Sequence, residues 1–184
     1  MNSFIEQARL YGTYHQNSIT RYTHFIGVPL IIFSLMVLLG FLHLVIPGVL
    51  DVTIAGIATL VLLVYYYYLN WRLALVLTGV FIILLWVANL VSYSGPTSSA
   101  LWIFIVTFIL GWALQLIGHF IEGNRPALMD NIWQALIAPM FLTAELFFLS
   151  GRMQDLKVQI HGAPGQLETS ESLKSEGTET EDKL

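Results

Sequence analysis

Cysteine is absent from the 184-residue chain, and charged side chains are scarce. The lack of thiols excludes disulfides, cysteine-ligated zinc and iron–sulfur clusters. Charged residues make up 11% of the chain and hydrophobic residues 56%, whereas a typical soluble domain is about 25% charged. A strongly basic face is also missing, so nucleic acid is not an expected partner. The composition therefore predicts a membrane protein.

Four apolar segments are long enough to cross a hydrocarbon core of about 30 Å, which takes roughly 20 helical residues. Backbone groups in lipid must find hydrogen-bond partners within their own segment, so each segment is expected to be a helix. The segments are residues 28–46, 52–70, 73–92 and 100–121. We therefore predict an all-α, polytopic transmembrane helical bundle of about four spans.

The positive charges favour one orientation of this bundle. Arg21 precedes the first span, Arg72 follows the second, and Arg125 follows the fourth. The connections after spans one and three contain no Lys or Arg. With four spans, these arginines lie on one side of the membrane, which the positive-inside rule makes cytoplasmic. Both termini are then cytoplasmic, and the membrane is a bacterial inner membrane or the endoplasmic reticulum.

A fifth apolar stretch, residues 132–150, contains Gln134, Pro139 and Glu145. A full crossing here would carry the basic residues that follow it to the opposite side, against the positive-inside rule. We therefore predict a re-entrant or interfacial helix. Glu145 is either a carboxylate that supports a metal site or an exposed interfacial residue.

Two segments lie outside the predicted spans. Residues 3–13 place Phe4 and Tyr11 near one helical face, which predicts an amphipathic helix lying on the membrane. Residues 162–184 are acidic and nearly free of aliphatic side chains, which predicts disorder. The chain is thus expected to divide into a membrane-embedded catalytic domain, residues 1–161, and a disordered acidic tail.

Two histidines flank the entrance of the first span. His15 and His24 are nine residues apart, so one continuous helix, at roughly 100° per residue, would point them to opposite faces. They converge only if the chain breaks between them, and Asn17 or Ser18 can cap a new helix there that continues into the first span. The alternative is a pair of interfacial histidines bonded to lipid headgroups or to the backbone.

Polar residues form a stripe at the end of the fourth span. Trp112, Gln115, His119 and Glu122 follow a three-four-three spacing, which places them on one helical face. His119 and Glu122 are close enough to bind one metal ion. Ionisable groups near a membrane helix end are costly unless they face a bundle interior, which favours a functional site. The alternative is a hydrogen-bonded histidine beside an interfacial glutamate.

A polar turn follows this span. Arg125 can bind a carboxylate through two parallel hydrogen bonds, or it can simply anchor the span on its positive side. Asp130 either caps the next helix or adds a carboxylate to a site. Of the remaining histidines, His43 is expected to lie at the opposite membrane boundary, and His161, beside the acidic tail, is expected to be solvated.

Topology brings the polar candidates to one membrane face, because the first span begins on the cytoplasmic side and the fourth ends there. The residues gathered there are His15, His24, His119, Glu122, Arg125 and Asp130. Two or three histidines with a carboxylate and no thiolate suit a non-haem Fe(II) site or a Zn(II) site with open positions.

The candidate residues belong to a longer pattern of motifs. Its first half consists of Tyr14-His15, His24, Gly27 and Pro29-Leu30. Its second half consists of Gln115, Gly118-His119, Glu122, Arg125-Pro126-Ala127-Leu128, Asp130-Asn131, Ala138-Pro139 and Glu145. This pattern, from about Phe4 to Gly151, resembles the membrane-bound 2-hydroxy fatty acid dioxygenases of the yeast endoplasmic reticulum and of many bacteria. Thr20 stands where that family often has Asn.

The resemblance implies α-oxidation, in which an Fe(II)-dependent enzyme uses O2 to shorten a 2-hydroxy fatty acid by one carbon. His15, His24 and His119 are then the metal ligands. Glu122 is a fourth ligand or orients one of the histidines. Arg125 is expected to steer the substrate carboxylate, and the acyl chain to run between the spans into the bilayer.

Two other functions are compatible with the sequence alone. A zinc-dependent membrane lipid hydrolase also uses a few histidines and a carboxylate at a membrane face, but its turnover needs no O2. A non-enzymatic small transporter or scaffold would keep its metal content and its cellular phenotype when His119 is replaced.

Overall fold

The structure is a computed structural model that describes residues 4–13, 18–48, 50–123 and 132–162. Within those residues the chain forms seven helices and one two-stranded hairpin. In chain order these are α1 (Phe4–Thr13), α2 (Ser18–Gly40), β1 (His43–Ile46), β2 (Leu50–Thr53), α3 (Ile54–Leu69), α4 (Trp71–Ser92), α5 (Ser98–Glu122), α6 (Ile132–Leu149) and α7 (Gln154–His161). The predicted helical class is confirmed, and the hairpin is added to it. The predicted tail lies outside the described residues except for Gly162.

Three helices are long and apolar enough to cross a membrane, namely Ile19–Gly40 within α2, Trp71–Ser92 and Ser98–Glu122. The apolar helices Ile54–Leu69 and Gln134–Leu149 are shorter. At about 1.5 Å per residue, α3 covers roughly 24 Å, less than a typical hydrocarbon core of about 30 Å. These helices indicate an integral, multi-pass membrane protein. Three of its helices are long enough to span the membrane, and the shorter helix α3 lies between the first two of them.

Side-chain caps set several of the helix boundaries. The side-chain oxygen of Asn70 accepts hydrogen bonds from the backbone N–H groups of Arg72 and Leu73, so α4 begins directly after α3 ends. Thr53 and Thr97 cap the first turns of α3 and α5 in the same way. The caps satisfy backbone donors that have no partner within the helix. The second and third connections therefore lie where the sequence predicts them.

The first predicted span, residues 28–46, ends too late, whereas the helix start predicted from the capping signal at Asn17 or Ser18 is confirmed. The helix begins at Ser18, continues through the polar segment into the apolar run, and ends at Gly40. Residues His43–Ile46 form β1, which pairs antiparallel with β2. Aliphatic and β-branched residues favour strands, and the intervening Gly48, at φ 74°, turns the chain between them. His43 is exposed on this hairpin, with its Nδ1 2.9 Å from Asp51.

Helices α2 and α5 pack antiparallel, and glycines let their backbones touch. A Cβ atom on Gly111 would lie 2.8 Å from Cγ1 of Ile31 and 3.1 Å from the carbonyl oxygen of Gly27. Small residues commonly allow this approach in membrane helix pairs. Nearer the start of α2, the hydroxyl of Thr20 donates to the carbonyl of Gly118 at 3.0 Å. The beginning of α2 and the end of α5 therefore lie side by side.

Both halves of α6 contact that same end of the bundle. The hydroxyl of Tyr66, near the end of α3, donates to the carbonyl of Leu136 at 2.7 Å. Nine residues further along α6, Glu145 accepts a hydrogen bond from Arg21, near the start of α2. The end where α2 begins and α3 and α5 finish, called the site end below, is thus joined to α6 along much of that helix.

Helix α1 has the predicted amphipathic pattern, but the protein covers its apolar face. Phe4, Ala8 and Tyr11 are buried. The Tyr11 ring packs against Phe141 of α6 with 4.9 Å between ring centroids. The expectation that this helix presents its apolar face to lipid is therefore wrong, because that face packs against α6 and α7.

Candidate active site

Two histidines that are distant in sequence meet at the site end. Nε2 of His24 lies 3.2 Å from Nε2 of His119, and the two rings are nearly perpendicular, at 84°. Both residues are buried, with exposed fractions of 1% and 5%. The antiparallel packing of α2 on α5 produces this contact, since it brings the first turns of one helix beside the last turns of the other.

The hydrogen bond made by the second ring nitrogen of His24 indicates which nitrogen carries the proton. Nδ1 lies 2.7 Å from the backbone carbonyl oxygen of Thr20, one turn earlier on α2. A carbonyl only accepts, so Nδ1 carries the proton and donates it in this bond. In the neutral ring, Nε2 then bears a lone pair directed towards His119, which is the form in which imidazole binds a metal ion.

The geometry of the pair is compatible with two ligands of one metal ion. With metal–nitrogen bonds of about 2.1 Å, two nitrogens 3.2 Å apart subtend an angle of roughly 100° at the ion. The same distance also fits a hydrogen bond between two neutral imidazoles. Across the part of the chain that the structure describes, no group of three or more His, Asp or Glu residues is placed to bind a metal. The pair therefore fits a metal only together with further ligands.

Glu122 lies nearly one turn beyond His119 at the end of α5. It is partly exposed, and its carboxylate interacts electrostatically with the His119 ring. This is the arrangement expected of a group that supplements or orients a histidine ligand. His15, Arg125 and Asp130 lie outside the described residues, so their part in the site stays a prediction.

A cavity of about 390 Å³ connects the histidine pair with the interior of the bundle. At the site end it is lined by His24, His119 and Tyr66, and at the opposite end by Leu39 and Ala55. Trp112 and Gln115, which share the predicted stripe with His119, line it as well. Most of the remaining lining is aliphatic, so the cavity suits a ligand with a polar end and a hydrocarbon chain.

Glu145 joins three helices beside the site. Its exposed fraction is 3%, and it accepts hydrogen bonds from Nη1 of Arg21 at 3.1 Å and from Nε2 of His161 at 2.6 Å. Burial alone would raise the pKa of Glu145, but hydrogen bonds and charge interactions with His161 and Arg21 outweigh it and hold the pKa below its usual value. The expectation of a solvated His161 is wrong, because its ring packs between Phe141 and Phe148.

Two of these contacts have little indication in the sequence. Arg21 was informative only as a positive charge near the first span, and its ion pair with Glu145 joins residues 124 positions apart. The acceptor for His24 is a backbone carbonyl, which any residue at position 20 supplies. No side-chain pattern reveals that bond, although the spacing of four along a helix permits it.

Replacement of Glu145 by glutamine is expected to lower the free energy of unfolding by about 2 kcal/mol at pH 7, since a neutral amide weakens two hydrogen bonds to a buried charge. Because the folded pKa is lowered, the carboxylate contributes fully above its unfolded pKa of about 4.3, and the contribution is lost as the pH falls through the folded value. The difference between parent and variant should therefore shrink below about pH 4.

Thermal unfolding in detergent at neutral and acidic pH measures this difference. The exposed carboxylate of Asp155 provides the control, and Asp155→Asn should change stability by only a few tenths of a kcal/mol. A parent-like unfolding curve for Glu145→Gln at pH 7 would contradict the stabilising role of the buried ion pair.

Comparison with known proteins agrees with the motifs. Residues 1–150 match a family described as 2-hydroxy-palmitic acid dioxygenase Mpo1-like. The chain is also 30% identical over 156 residues to the 2-hydroxy-palmitic acid dioxygenase MPO1 of Saccharomyces cerevisiae, an alignment that covers 84% of this chain and 85% of the yeast protein. No solved structure matches the chain. The chain belongs to the Mpo1-like family of 2-hydroxy-palmitic acid dioxygenases.

Proposed function

We propose that this protein is an Fe(II)-dependent dioxygenase that shortens 2-hydroxy fatty acids by one carbon. The observation that carries the proposal is the meeting of His24 and His119 at the polar end of a largely aliphatic cavity. Family membership supports the reaction class, and the name of the yeast relative specifies a 2-hydroxy acid of the same kind. A buried pair of imidazoles is a suitable part of a non-haem iron site.

His24 and His119 would hold the iron, with His15 as the third histidine ligand. Glu122 would be a further ligand or would orient His119. When bound, Fe(II) supplies the electron chemistry that allows O2 to react with an organic substrate. The bond from His24 to the Thr20 carbonyl would fix the orientation of the imidazole and direct Nε2 towards the iron.

The substrate is proposed to lie with its carboxylate and 2-hydroxyl group at the histidine pair and its hydrocarbon chain in the cavity. Arg125 would bind the carboxylate, and Asp130 is a second polar group proposed for this end. The aliphatic lining would hold the hydrocarbon chain away from water. The C1–C2 bond breaks, and one O2 taken up balances one CO2, one water and a fatty acid shorter by one carbon.

The site is proposed to open towards the cytoplasm. Arg21 and Arg72 lie at the site end of the bundle, whereas the connections at the other end, residues 41–53 and 93–97, contain no Lys or Arg. The positive-inside rule then makes the site end cytoplasmic. Helix α6 would lie at this interface rather than cross the membrane, since both its halves contact the site end.

The proposed activity is tested with protein purified without oxygen and loaded with Fe(II). We expect O2 uptake on addition of a long-chain 2-hydroxy acid, a product one carbon shorter, and one O2 consumed per acid. The matched fatty acid without the hydroxyl group serves as the control and should not be consumed. Tightly bound zinc with O2-independent turnover of a lipid would overturn the proposal in favour of the hydrolase.

A further inference from the structure

The cavity has a definite length as well as a volume. Its wall on α2 extends from His24 to Leu39, fifteen residues that correspond to about 22 Å of helix. The facing wall on α3 runs in the opposite direction, from Tyr66 at the site end to Ala55 near the far end. The cavity therefore extends along α2 and α3, with residues of α5 and α6 completing its lining, and most of its polar groups lie towards the site end.

These dimensions match an extended acyl chain. A chain advances roughly 1.3 Å per carbon, because its C–C bonds of about 1.5 Å are inclined to its axis. A chain of about sixteen carbons is then about 19 Å long, slightly shorter than the wall on α2. The volume of about 390 Å³ is also within the usual range for small-molecule sites, roughly 300–1,000 Å³.

We propose that the part of the cavity lined by α2 and α3 selects the acyl chain length of the substrate, with Ala58 and Leu39 as the selecting residues. The occupant is the hydrocarbon chain of a 2-hydroxy fatty acid whose polar end lies at His24 and His119, so the inference rests on the proposed function. Ala58 lines the cavity eight residues before Tyr66, about 12 Å from the site end. Leu39 lines its far end.

Replacements of these two residues are expected to shift the preferred chain length in opposite directions. The small side chain of Ala58 leaves room for the chain to pass, and tryptophan there would fill the cavity about halfway along. We expect Ala58→Trp to lose at least about tenfold in turnover of a sixteen-carbon acid relative to a ten-carbon acid. Leu39→Ala removes side-chain volume at the far end, and should raise turnover of a twenty-carbon acid relative to a sixteen-carbon acid by roughly tenfold.

O2 uptake by the iron-loaded protein with 2-hydroxy acids of these three lengths measures the change. Leu60→Trp is the matched control, since it adds the same side chain to an exposed position of α3 that does not line the cavity. Its chain-length profile should be that of the parent. Iron content and turnover of the ten-carbon acid show whether each variant is correctly folded.

The outcomes separate this inference from the function on which it rests. If the parent oxidises no 2-hydroxy acid of any length, the proposed function fails. If the parent is active and Ala58→Trp keeps the parent profile, the chain leaves the protein sideways into lipid and the inference is overturned. If Ala58→Trp loses its iron and all activity, Leu39→Ala decides, and an unchanged profile for that variant overturns the inference.

Discussion

Replacement of His119 by glutamine is expected to reduce iron content to background and turnover by at least about 100-fold. Loss of a group that merely orients a metal ligand already costs 10- to 100-fold, and His119 is proposed to bind the metal itself. His24→Gln should have the same effect, because the two Nε2 atoms lie 3.2 Å apart and would share one ion. Iron quantitation and O2 uptake on the purified variants measure both losses.

The chain contains a histidine suited to serve as the control. His43 lies on the hairpin at the opposite end of the bundle, is exposed, and contacts Asp51. His43→Gln should leave iron content and turnover unchanged. If His119→Gln also retained its iron content and turnover, the histidine pair would be a structural hydrogen bond. That result would support the non-enzymatic alternative.

Replacement of Gly111 by alanine is expected to destabilise the protein by about 2 kcal/mol and to lower turnover by at least tenfold. The added Cβ would lie 3.1 Å from two backbone atoms, the oxygen of Gly27 and the nitrogen of Ile31, so α2 and α5 must separate to accept it. Overpacking of this kind costs about 1–3 kcal/mol. A displacement of about 1 Å at a reacting centre can cost 100-fold in rate, and these two helices carry both histidines.

Gly79 on α4 offers the matched control, because a Cβ added there meets no atom within 4 Å. Alanine is a better helix former than glycine by about 1 kcal/mol, so Gly79→Ala should leave the protein as stable as the parent or more so. Thermal unfolding in detergent and turnover are measured for both variants. Gly111→Ala with parent-like stability and activity would show that the helices do not need their close contact.

Hydropathy predicts the later helices well. The segments 73–92 and 100–121 differ by at most two residues at either end from α4 and α5, which begin after the caps Asn70 and Thr97. Hydropathy does not predict the start of α2, but the capping signal at Asn17 or Ser18 does. Its polar residues Thr20 and His24 are buried against α5 rather than against lipid, so they belong to a helix that the apolar run alone does not reveal.

The candidate site was predictable in part. Counting spans and charges places His24 and His119 at one end of the bundle, but it says nothing about the distance between them. That distance depends on the glycine contacts between α2 and α5. The partners of Glu145 were not predictable either, since Arg21 and His161 reach it only after α6 and α7 have packed beside α2.

The separation of the two histidines along the chain has a consequence for biosynthesis. His24 and His119 are 95 residues apart, and translation delivers α2 to the membrane well before α5. A nascent chain of which only the first helices have been inserted contains His24 but not yet His119. An ion bound between the two histidines would therefore be acquired after α5 has been inserted, and it would fasten the first long helix to the last.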